Sequence, residues 1–154
     1  MTEEFFQLGY VTNDLDRGMA ELKALHSIGS FKEMRDLHLP TGPDREWVGH
    51  FALAFKQGIQ FELIAPAGDD GGIYRDLLLH QEFTLRFHHL GHFVSSLEAY
   101  QSLLKRAAER WELPVNCGAF GGFYAYADAR KDLGHFLEYF TFPSADFFAD
   151  VPRY

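Results

Sequence analysis

The stretch Phe87-His88-His89-Leu90-Gly91-His92-Phe93-Val94 decides how this chain reads. It is short, apolar and β-prone, which predicts a buried strand, and it holds three of the eight histidines. Strand side chains alternate between faces. His89, Gly91 and Phe93 therefore share one face, and His88, Leu90 and His92 the other. An earlier stretch, Phe6-Gln7-Leu8-Gly9-Tyr10-Val11, has the same shape, with Gln7 where His89 falls. The echo implies one unit written twice, with its chemistry where the copies meet.

Working outward, Phe5–Val11 alternates as a strand, and Asn13-Asp14 supplies a helix N-cap with Asp16 in the first turn. The stripe Leu15, Met19, Leu22, Leu25 predicts a helix ending near His26–Gly29. Phe31–Leu39 reads as a strand broken by Pro40, and Thr41–Asp44 as a loop. Trp47–Phe55 and Ile59–Ala65 are strands joined by the tight turn Lys56-Gln57-Gly58. Pro66–Gly72 is a Gly/Pro/Asp-rich linker, and Ile73–His80 suits a short connecting helix.

The pattern then restarts. Arg86–Val94 is a strand, and Ser95-Ser96 with Glu98 caps a helix to about Glu109 carrying Leu97, Tyr100, Leu103, Leu104 and Ala107. Strands follow at Leu113–Ala119, Phe123–Asp128 and His135–Phe142, with turns at Gly121-Gly122 and Arg130–Gly134. The fold class expected is α+β: a βαβββ module over 1–66, a linker with a short helix over 67–85, a second βαβββ module over 86–142 and a tail over 143–154. Two copies are too few for a solenoid, so the modules should pair face to face. The tail, with Phe147-Phe148, has no counterpart and should pack on the body or on a second subunit.

Composition narrows the partners. The chain has 154 residues, 47% hydrophobic and 23% charged, as in a globular protein able to bury a core. A net charge of -8 argues against nucleic acid or an anionic membrane, which need a basic face. The single cysteine, Cys117, rules out an internal disulfide and suits a reducing compartment, as a small buried side chain. No apolar run approaches the ~18 residues of a membrane span. Met1-Thr2-Glu3-Glu4 is not the cationic start of a signal peptide, so the cytoplasm is expected. The 16 phenylalanines predict a Phe-packed core, part of which could line a cavity for an apolar small molecule.

Each copy carries one polar residue on its first strand and one carboxylate on its last: Gln7 and Glu62, then His89 and Glu138. Flanked by Phe61, Leu63, Leu137 and Tyr139, each carboxylate points to the face opposite those neighbours, where an unpaired charge is costly. Solvation at a strand end, or pairing with Arg or His, is one solution. Convergence of all four on a divalent ion, with coordination positions left over, is the other. By alternation His88, His92 and His135 lie on the faces opposite His89 and Glu138, and are expected to pack against helices or a subunit interface. Tyr124 and Tyr126 are candidate hydrogen-bond donors to a substrate, and Arg130 a candidate for holding an anionic group.

The two copies, with Gln7-Leu8-Gly9, Phe61-Glu62-Leu63-Ile64, His89-Leu90-Gly91 and Leu137-Glu138-Tyr139, resemble the vicinal oxygen chelate superfamily of glyoxalases, bleomycin-resistance proteins and extradiol dioxygenases. The likeness spans about Phe5 to Phe142. It implies paired half-cups holding a metal through Gln7, Glu62, His89 and Glu138, in the ligand order of glyoxalase I. The metal implied is Zn, Ni, Co or Mn rather than Fe, and a homodimer is implied. The chemistry implied is that of a lyase or isomerase: proton abstraction beside a carbonyl through a metal-stabilised enediolate, with Glu138 as proton shuttle and Glu62 second. A metal-free sequestering protein on the same fold is the competing expectation. A ring-opening dioxygenase, which needs iron and two histidines, is the third.

Overall fold

The computed structural model describes residues 3–42, 44–68, 72–78, 82–143 and 145–154. The βαβββ order occurs twice. The first copy is β1 (Glu3–Thr12), α1 (Leu15–His26), β2 (Lys32–Gly42), β3 (Arg45–Lys56) and β4 (Ile59–Ala67). The second is β5 (Leu85–Val94), α2 (Leu97–Ala108), β6 (Val115–Ala119), β7 (Gly122–Ala127) and β8 (Phe136–Thr141), with a one-turn helix, α3 (Arg130–Leu133), before the last strand.

All eight strands form one sheet in the order β2-β3-β4-β1-β5-β8-β7-β6. Within each copy the first and last strands pair in parallel, β1 with β4 and β5 with β8, and the copies join through the antiparallel pair β1·β5. The sheet curls until its two edge strands approach, and the Tyr124 hydroxyl on β7 donates to the Pro40 carbonyl on β2 across the seam. The α+β paired half-barrel is the architecture observed.

The helices cover the outer face. Asp14 caps α1 by accepting from the Arg17 N–H (3.0 Å), and Leu15, Met19 and Leu22 pack on Ala52, Leu63 and Ala65. Ser96 caps α2 by accepting from the Ala99 N–H (3.2 Å), and Tyr100, Leu103, Leu104 and Ala107 pack on Ala125, Ala127, Leu137 and Tyr139. Leu25 and Leu97 are exposed, because each sits at a helix end on the margin of its stripe. Among the described residues, no helix is long and apolar enough to cross a membrane.

Several expected boundaries move. β2 runs through Pro40 to Gly42, because an edge strand tolerates a residue without an N–H and absorbs it in a register shift. Pro66 and Ala67 belong to β4, paired with Gly49 and Val48, so the linker begins later than its composition suggested. Of the expected helix over 73–80, a 3₁₀ turn at Gly72–Tyr74 is observed. Residues 69–71 of that linker and 79–80 of that helix lie outside the described residues. The β6–β7 turn is centred on Phe120-Gly121, both at positive φ as a two-residue hairpin turn requires, so Gly122 opens β7.

The tail packs on the body of its own chain. After a 3₁₀ turn at Ala145–Phe148, the Phe55 N–H donates to Pro152 O (2.7 Å) and the Tyr154 N–H to Phe55 O (3.0 Å). The tail thus continues the sheet where β2 no longer flanks β3.

Candidate metal centre

Gln7, Glu62, His89 and Glu138 come from the four central strands, β1, β4, β5 and β8. The His89 Nε2 stands 3.2 Å from Gln7 Oε1, 3.2 Å from Glu62 Oε2 and 3.3 Å from Glu138 Oε2. His89, Gln7 and Glu138 are buried, and Glu62 nearly so. Leu63 and Phe61, and likewise Leu137 and Tyr139, pack outward, so alternation turns both carboxylates inward.

Three acceptor oxygens surround one ring nitrogen that can carry one proton. Glu62 Oε2 is buried and has no well-angled hydrogen bond. Burial raises the Glu62 carboxyl above its ordinary value, with His89 opposing and Glu138 adding to the rise. Burial alone would depress the His89 imidazole, but Glu138 and then Glu62 override it and hold it up at about 9. Two acids, an amide oxygen and an imidazole nitrogen in an apolar setting form an electrostatically unsaturated group.

The donor set fits a divalent cation. Adjacent donors bound to one ion at about 2.1 Å stand roughly 3.0–3.4 Å apart, the spacing seen around Nε2. Donor atoms of Glu62, His89 and Glu138 all lie within 4.8 Å of one another. Only one histidine contributes, unlike a two-histidine iron site.

Orientation comes from residues that sequence reasoning passed over. Gln60, paired in register with Gln7, accepts from the Gln7 Nε2–H (2.8 Å) and so turns Oε1 toward the site. By the period of two Gln60 shares the face of Glu62, which is the signal that could have found it. His88 is the larger correction. It is fully buried rather than on an outer face, with Nδ1 2.9 Å from His89 Nδ1 and Nε2 3.1 Å from the Ile73 carbonyl. A bulge explains this: Gly9 pairs with His89 but Tyr10 with Phe87, so His88 is the extra residue and turns inward beside its neighbour. Burial first, and His89 second, push its imidazole down to about 3.

Gln7, Glu62 and Glu138 border a cavity of about 250 Å³ whose walls are otherwise mainly apolar, including Leu39, Phe51, Phe140, Phe142 and Phe148. Tyr124 and Tyr126 also line it. The Tyr124 hydroxyl is committed to Pro40, whereas Tyr126 sets its ring perpendicular to His89 at 5.2 Å. Burial, reinforced by Glu138, raises Tyr126 far above the ordinary phenol range and keeps it neutral. Arg130 is not at the cavity: it pairs with Asp128 (2.6 Å) and Asp76 (3.3 Å) and lies over the Phe136 ring. The lining cation Lys32 is paired with Asp150 at 2.6 Å. Cys117 is buried, as expected.

No family model matches the sequence, and neither does any curated protein. Solved structures do match. A hypothetical protein from Bacillus halodurans C-125 superposes with a TM-score of 0.66 at 16% identity, over 94% of this chain and 97% of that one. Methylmalonyl-CoA epimerase from Mycobacterium tuberculosis does so with a TM-score of 0.61 at 15% identity, over 91% and 88%. A variant of the Streptomyces coelicolor methylmalonyl-CoA epimerase, in complex with 2-nitronate-propionyl-CoA, follows at 0.59 and 14%, over 91% and 97%. With the duplicated βαβββ order and the nearly closed sheet, these likenesses show that the chain has the glyoxalase-like paired half-barrel fold.

Proposed function

We propose that this protein is a divalent-cation-dependent isomerase or lyase that moves a proton at the carbon beside a carbonyl of a small, apolar substrate. The observation that carries the reading is the convergence of Gln7, Glu62 and Glu138 on His89 Nε2 at the edge of an apolar cavity. The isomerase neighbours, which are methylmalonyl-CoA epimerases, lend support.

Gln7, Glu62, His89 and Glu138 would hold the cation, which would supply Lewis-acid stabilisation of the negative charge that develops on the substrate oxygen when the proton leaves. The protein's own groups do the rest. Glu138 takes the proton from carbon and returns it, with Glu62 as the second acid able to do so. Both carboxylates border the cavity, within reach of a bound carbonyl compound. The aromatic walls exclude water and select an apolar body. The lining cation Lys32 is already paired with Asp150, so its charge is not left over for a substrate anion.

The test is elemental analysis of the purified protein, then hydrogen–deuterium exchange at the α-carbon of a panel of aryl and alkyl α-hydroxycarbonyl compounds. Stoichiometric Zn, Ni, Co or Mn with exchange that Glu138→Gln abolishes supports the reading. Exchange equal in Glu138→Gln ends it. One feature favours a metal-free sequestering protein: an imidazolium at His89 would itself pair with both acids. Tight binding of apolar compounds by metal-free protein, without exchange, would establish that reading instead.

A further inference from the structure

The geometry points to His88 as the positioning residue that sets which nitrogen of His89 carries a proton and which faces the four-donor site. The inference rests on the reading of that site as a cation centre.

A carbonyl oxygen only accepts, so the His88 nitrogen 3.1 Å from Ile73 O, Nε2, carries the hydrogen. The His88 ring stacks on Phe136 (centroids 4.8 Å, 26° between planes) and on Tyr74 (5.3 Å, 27°). Among the described residues no carboxylate forms an ion pair with it. The ring is therefore neutral, and its Nδ1 holds a lone pair. His89 Nδ1, 2.9 Å away, must donate to that lone pair. With Nδ1 committed to His88, Nε2 is the nitrogen left to face Gln7, Glu62 and Glu138, and it is the one that would give up its proton to present a lone pair to a cation. A hydrogen bond at the far nitrogen is how a ligating imidazole is normally held in tautomer and orientation.

The duplication shows why a bulged histidine is needed. In the first copy Gln7 is oriented by Gln60, its register partner on β4. The register partner of His89 on β8 is Phe136, which offers no acceptor. The orienting group comes instead from β5 itself, where the bulge swings His88 inward. β1 has the matching irregularity: Phe5 pairs with His92 and Gln7 with Gly91, leaving Phe6 as its extra residue. Phe6 uses that place for packing, against Phe55, Phe140 and Phe148.

The test uses the full chain labelled with ¹⁵N-histidine. Imidazole nitrogen shifts should show His88 protonated at Nε2 only, and His89 protonated at Nδ1 both before and after saturation with Zn(II). Competition with a chromophoric chelator should show Zn(II) affinity falling about 10–100-fold in His88→Phe, which keeps the stacked ring but loses the acceptor. His88→Asn, whose amide oxygen takes the place of Nδ1, should recover most of the loss. A proton on His88 Nδ1, or native affinity in His88→Phe, overturns the proposal. Should His88→Phe not melt cooperatively, the native shifts and the Asn variant decide. A native chain that takes up no Zn(II), Ni(II) or Co(II) sinks the cation reading instead, and the proton positions in the metal-free pair then decide this one alone.

Discussion

Gly9 lies directly opposite His89 across the β1·β5 ladder, and the imidazole occupies the space a side chain at residue 9 would fill. The relationship is reciprocal: Gly91 lies opposite Gln7, whose amide fills the corresponding space. Each module thus carries a donor two residues before a glycine, and each glycine seats the other module's donor. The same glycines flank the acids, Gly9 beside Glu62 and Gly91 beside Glu138. Gly9→Ala should displace the His89 ring, abolish metal uptake and destabilise the fold by about 1–3 kcal/mol. Gly42→Ala, with open space around it, should leave both unchanged. Thermal melts and metal stoichiometry of the two variants check this.

The amide orientation makes a second prediction. Gln60→Leu removes the acceptor for the Gln7 Nε2–H and leaves a buried donor unpaired, a loss of about 1–3 kcal/mol. Metal affinity should fall about 10–100-fold as Oε1 loses its fixed aim. Gln60→Glu keeps an acceptor and should retain most of the affinity. Chelator competition on the three proteins is the measurement.

Chelation should itself be visible in stability. A cation that binds only the folded chain stabilises it by about 2.7 kcal/mol at a hundred times its dissociation constant. The melting temperature should therefore rise with added Zn(II) and fall with a chelator. In a Glu62→Gln, Glu138→Gln double variant the two curves should coincide. A zinc-dependent rise that survives in the double variant would place the bound ion elsewhere.

How far the sequence reached is clearest from individual residues. Glu62 and Glu138 were legible because an acid among apolar strand neighbours has one inward face, and His89 and Gln7 because the repeat aligns them. His88 was not, because a bulge is a property of the pairing between two strands, and alternation along one strand assigns it to the wrong face. Arg130 looked available in a loop, but Asp76, far away in sequence, claims part of it. Pro40 looked like a strand end because only the sheet order reveals that β2 is an edge.

Tyr124 holds the two ends of the curled sheet together. Its hydroxyl donates to Pro40 across the seam between β7 and β2. Tyr124→Phe should cost about 0.5–1.5 kcal/mol and leave metal affinity at the native value. A large drop in metal affinity with little change in melting temperature would reverse that assignment.

The tail is held by packing more than by charge. Phe148 contacts the rings of Phe6, Phe55, Phe140 and Phe142, and walls the cavity. Phe148→Ala should cost about 3 kcal/mol and speed proteolytic cleavage of the tail. Lys32 and Asp150 add a partly exposed pair, in which the ammonium holds the Asp150 carboxyl below its ordinary range. A carboxyl with a depressed folded pKa contributes fully above its unfolded value of about 3.9, and loses that contribution as pH falls through the lower folded value. Tail cleavage should therefore be independent of the Asp150 titration above roughly pH 5, and should respond to salt instead. Lys32→Met should cleave at one rate in low and high salt, and native protein faster in high salt. If Lys32→Met keeps the native salt response, another contact carries it, since screening acts on this pair only while both charges are present.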